Sequence, residues 1–115
     1  MQDPDTSHIK KIDAPRPSEV KSYDMVVRIP EAVVPFADDI VRFVDAMVYK
    51  LERNAHKGRW PDIGIQQALD LLKKEVNELD EAVAEDGNMV KIMLESADVA
   101  NFALIVAAIA MGQKG

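Results

Sequence analysis

"IQQALDLLKKEVNELDEAV", residues 65–83, is the stretch whose spacing decides the fold. Ile65, Leu69, Leu72, Val76, Leu79 and Val83 recur by threes and fours, the period of one helix face. Gln66, Asp70, Lys73, Asn77, Asp80 and Glu81 fall on the opposite side, where a solvated face belongs. Glu75 and Glu78 join neither group. They stand one turn apart on a flank of the apolar arc, toward Ala68, Leu71 and Ala82. Taken alone, this pair fits a solvated helix edge as well as it fits a ligand site.

Working outward, the helix is predicted from about Gly64 to Glu85, with Gly87 ending it. Asn88 can cap a further helix that continues to about Met111, before Gly112. An earlier helix is predicted from Pro35, suited to a first turn, to a stop at Gly58; its stripe is Ala37, Ile40, Val44, Met47 and Leu51, facing another helix. Three of the six prolines precede Pro30, so residues 1–30 read as an arm in which "DMVVRIP" (24–30) is a short strand or an extended strap. The predicted fold class is all-α: a helical bundle of long antiparallel helices over residues 31–115, with a four-helix core completed by oligomerisation and an extended N-terminal arm.

The chain of 115 residues has the size of one domain, too small to enclose a site on all sides, so helices of a second copy are expected to help. Twenty acids against fourteen Lys and Arg, a net charge of -6, argue against a nucleic-acid polymer as partner, since phosphate contacts need dense positive charge. With no cysteine, disulfides, thiolate metal sites and thiol catalysis are closed. "MQDPDTSHIKK" (1–11) carries acids and a proline where a secretory signal needs its apolar run. The longest apolar run, "FALIVAAIAM" (102–111), is about half of the ~20 residues a membrane span needs. It reads as a buried helix, and the cytosol is the default compartment.

That last helix sharpens the question of the acids. From Ala97 on it is apolar nearly all round, as an enclosed helix must be, yet Glu95, Asp98 and Asn101 interrupt it on one side. A buried carboxylate needs a cation, a hydrogen-bond network or a raised pKa. Two acid pairs on consecutive antiparallel helices can bring Glu75, Glu78, Glu95 and Asp98 to one point, an oxygen-rich site suited to Mg²⁺ or Mn²⁺. A di-iron bundle requires histidines three residues after glutamates, and the only histidines are His8 and His56. Structural ion pairing by Lys73, Lys74 or Lys91 is the open alternative. Lys50, Arg53 and Lys57 share one side at the end of the first helix, with Arg59 just beyond: either solvated surface or a phosphate-binding strip. Trp60, in "HKGRWPD" (56–62), is either a loop anchor or a stacking wall for a nucleobase.

The pairs "EVNE" (75–78) and "ESAD" (95–98), separated by sixteen residues and followed by "VANFALIV" (99–106), give the chain its resemblance. Over roughly residues 35–112 it resembles the MazG-like all-α nucleoside triphosphate pyrophosphohydrolases, a group that includes dimeric dUTPases and phosphoribosyl-ATP pyrophosphohydrolases. The resemblance implies Mg²⁺-dependent cleavage between the α and β phosphates of a nucleoside triphosphate, giving a monophosphate and pyrophosphate. It implies that Glu75, Glu78, Glu95 and Asp98 bind the metal and serve catalysis, with Mn²⁺ able to substitute. Lys50, Arg53, Lys57, Arg59, Trp60, Lys91 and Asn101 are then the substrate contacts, and Glu78 is the general base. "NAHKGRWPD" (54–62) is similar to the segment before the acidic helix in phage-type enzymes acting on purine deoxynucleotides, which makes dGTP and dATP the expected substrates and a homo-oligomer, dimer or tetramer, the expected assembly.

Overall fold

Helical periodicity carries through to α1 (Ala37–Asn54), α2 (Ile65–Ala84) and α3 (Met89–Ala110) in the computed structural model. The described residues are 22, 24–55, 62–85 and 87–112, and none of them lies in a strand. The chain divides into two units, Met1–Ala37 and Asp38–Gly115.

In the first unit, residues 24–30 run without regular secondary structure and expose Met25, Val26 and Val27. Pro30 stays extended (φ −63°, ψ 156°), and its carbonyl accepts from Val33 N–H at 2.9 Å, opening a 3-10 helix, Glu31–Phe36. Pro35 therefore sits in this tight turn, and α1 starts two residues later, at Ala37. A 3-10 turn is a common entry to an α-helix.

In the second unit, the ends of the helices follow local chemistry. Asp38 and Asp39 lie in the first turn of α1 and Arg53 in its last, matching the sign of the helix dipole at each end. The predicted stop at Gly58 lies outside the described residues. Past α2, Gly87 takes φ 76°, a left-handed conformation that glycine adopts without strain. Asn88 then caps α3, its side-chain oxygen accepting from Lys91 N–H at 3.1 Å.

The short link between α2 and α3 lets the two pack directly, and among the described elements they are the pair whose backbones approach closely. Small side chains make that possible: the buried apolar residues are Ala68 and Ala82 of α2 and Ala97 and Ala108 of α3. Two apolar faces are left partly uncovered. Along the α1 stripe Ala37 and Met47 are half-buried, while Ile40, Val44 and Leu51 are more than one-third exposed. α3 is also not enclosed by its own chain: Leu104 and Ala107 are exposed, whereas Ala108 is buried. By length and composition α3, with a mean hydropathy of 1.8, passes as a membrane span.

Candidate metal centre

The site lies where the flank of α2 meets the polar interruption of α3. One carboxylate oxygen from each of Glu75, Glu95 and Asp98 lies within 4.8 Å of the other two, and all three residues are half-buried. Glu75 Oε2 and Glu95 Oε2 are shut off from solvent without a hydrogen-bond partner, as is Asn101 Oδ1. Buried polar atoms rarely remain unsatisfied, so the cluster lacks donors or positive charge.

Its proton affinities say the same. Glu75 is pushed up from the ordinary 4.5 to about 7. Burial is the largest cause, followed by a hydrogen bond that its protonated carboxyl shares with Glu78, then by the negative charges of Glu78, Asp98 and Glu95. Glu95 is also raised, first by burial and then by Asp98 and Glu78, while Lys50 and Lys91 pull it back. Like charges at this spacing resist ionising together. Three half-buried carboxylates, two of them with an unpartnered oxygen, are a hard-oxygen donor set, and they can hold a divalent cation.

From α1, Lys50 Nζ reaches Asp98 Oδ2 at 3.2 Å, with side chains only 23% and 18% exposed. One turn earlier on α1, the Met47 carbonyl accepts from Asn101 Nδ2 at 3.1 Å, and Asn101 is just 6% exposed. The two contacts are in register: three residues forward in α1 match three residues back in α3.

Of the predicted site residues, Glu75, Glu95 and Asp98 come together, with Lys50 and Asn101 beside them. Glu78 lies one turn on from Glu75 and touches the cluster through it. Arg53 is exposed and turned to its own helix, 5.7 Å over the Tyr49 ring and 3.4 Å from its hydroxyl. Lys91 pairs with Glu85 at 2.8 Å. Lys57, Arg59 and Trp60 lie outside the described residues. The Met47 carbonyl is the participant that sequence reasoning missed, because a backbone acceptor leaves no mark in a residue pattern. Compared with known protein families, curated proteins and solved structures, the chain has no match.

Proposed function

We propose that the chain is a Mg²⁺-dependent nucleoside triphosphate pyrophosphohydrolase of the MazG-like kind, acting on purine deoxynucleotides such as dGTP and dATP. The observation that carries this reading is the convergence of Glu75, Glu95 and Asp98 with two buried, unpartnered carboxylate oxygens. Hard divalent ions take carboxylate oxygens, and Mg²⁺ retains waters and phosphate oxygens as further ligands, so a three-acid site open on one side suits it. Bound there, Mg²⁺ neutralises phosphate charge and acidifies a water, the two needs of phosphoanhydride hydrolysis. Water adds at the α-phosphorus, the bond to the β-phosphate bridging oxygen breaks, and the products are a nucleoside monophosphate and pyrophosphate.

The chain's own groups have separable parts. Glu75, Glu95 and Asp98 hold the cation, with Mn²⁺ as the natural substitute. Glu78, outside the three-oxygen group and beside Glu75, accepts the proton of the attacking water. Lys50 and Asn101 face substrate, together with Lys57, Arg59, Trp60 and Lys91.

The same reading completes the fold. Antiparallel helices of two copies form a four-helix core, as a dimer or a dimer of dimers, covering the apolar faces that one copy leaves open. The polar groups on α3 favour such a core over a bilayer, where Glu95 and Asp98 near the middle of a span carry a cost of several kcal/mol. A second reading, a non-catalytic helical interaction module with structural salt bridges, draws support from the Lys50–Asp98 ion pair. Pyrophosphate release from a panel of ribo- and deoxynucleoside triphosphates with Mg²⁺ tests the first. Inactivity on every one, with no Mg²⁺ binding by calorimetry, would leave the second.

A further inference from the structure

We infer that Lys50 is an internal counter-ion of the site: its ammonium holds Asp98 until a divalent cation takes its place, and then turns to the anionic substrate. This rests on the hydrolase reading above. Lys50 Nζ lies 3.2 Å from Asp98 Oδ2, and Asp98 is one of the three acids whose oxygens converge. A cation bonded to all three carboxylates would draw on the Asp98 carboxylate, one oxygen of which Lys50 now contacts. The ammonium satisfies Asp98 alone and leaves Glu75 Oε2 and Glu95 Oε2 unpartnered, so a divalent ion serves the cluster better than Lys50 does.

The geometry lets this exchange occur without moving a helix. Lysine carries a compact charge on a flexible four-carbon stem, so its ammonium can swing while the backbone stays. The backbone of α1 is kept in register one turn away by the Asn101–Met47 hydrogen bond, between a nearly buried amide and a main-chain carbonyl. A released ammonium therefore remains within a side chain's reach of the cluster, where a cation-bound phosphate presents its oxygens. Arg53, held against Tyr49 on its own helix, does not take that place.

The test is calorimetry of the full chain with Mn²⁺ at pH 8, in the unaltered protein and in Lys50→Met and Lys50→Gln. Both substitutions should tighten Mn²⁺ on the order of tenfold by removing a charge-assisted competitor. Both should also weaken inorganic pyrophosphate, measured at saturating Mn²⁺, by a similar factor. A merely structural lysine would not move these two affinities in opposite directions. Unchanged or weaker Mn²⁺ binding in folded variants overturns the inference, as does unchanged pyrophosphate binding. Should the variants fail to fold, ¹³C-dimethylated lysines of the unaltered protein report directly: Mg²⁺ should shift the signal assigned through Lys50→Arg, and a static signal overturns the inference. Mn²⁺ binding that depends on Asp98 but ignores Lys50 defeats this inference alone. No Mn²⁺ binding by the unaltered protein defeats the hydrolase reading with it.

Discussion

Glu75→Gln separates a metal site from a structural ion pair, because the two assign opposite signs to the lost charge. A carboxyl moved from 4.5 to about 7 resists ionisation by up to about 3 kcal/mol. Solvent at the margin of this half-buried group screens that to about 1–2 kcal/mol. The sign follows from linkage: with its pKa raised on folding, Glu75 contributes stability that is fully present below 4.5 and is lost as pH rises through about 7. Glutamine keeps the shape and a donor toward Glu78 but never ionises. The variant should therefore match the unaltered protein near pH 5 and exceed it by about 1–2 kcal/mol at pH 8, roughly 5–10 °C in melting temperature for a helical unit of this size. Circular-dichroism melts in a metal chelator at both pH values measure this. Added Mg²⁺ should then reverse the order at pH 8, since only the unaltered protein gains full binding energy. A variant less stable than the unaltered protein at pH 8 in chelator would refute the cluster electrostatics and favour structural pairing.

Glu95→Gln and Asp98→Asn should each lower pyrophosphate release by two orders of magnitude or more with the helical spectrum intact; orthophosphate as the main product would contradict α–β cleavage. Asn101→Ala removes the amide that bonds the Met47 carbonyl and should cost about 1 kcal/mol in denaturant unfolding; no loss would mean that the tether is not formed in solution. Val44→Glu replaces a side chain 48% exposed in the single chain. It should leave the protomer folded while lowering the mass seen by light scattering, and an unaltered protein that is a fully active monomer would refute the assembly.

How much of this was legible in the sequence depends on how local each cause is. Helix ends were readable because they are set within a few residues: Asn88 bonding Lys91 N–H, and the left-handed Gly87 between α2 and α3. The acids were readable because Glu95, Asp98 and Asn101 interrupt an apolar helix, and an interruption needs a partner somewhere. The partners themselves were not readable. Nothing in the spacing shows that Lys50 meets Asp98 or that a Met47 carbonyl meets Asn101, contacts that span long separations along the chain. What covers α1 was not readable for a related reason: an apolar stripe reports that a face is to be covered, not by which chain.

Assembly and site are linked in the proposed enzyme through α1. Among the described residues its bonds to α3 are one hydrogen bond and one ion pair, each contributing about 1 kcal/mol or less net. Such contacts set a register but do not fix an 18-residue helix, whose backbone ordering alone costs about 1–2 kcal/mol per residue. Apolar burial has to supply the difference, and the chain's own core is made of alanines, with no large side chain fully buried among the described residues. Val41, Val44 and Val48 lie uncovered on α1, and fully burying a side chain of that kind gives about 1.5–3 kcal/mol. A second copy covering this face would therefore decide where α1 rests, and with it whether Lys50 reaches Asp98. On this account the ammonium beside the acids is delivered by the oligomer, and the two weak polar contacts only choose where along α3 it arrives.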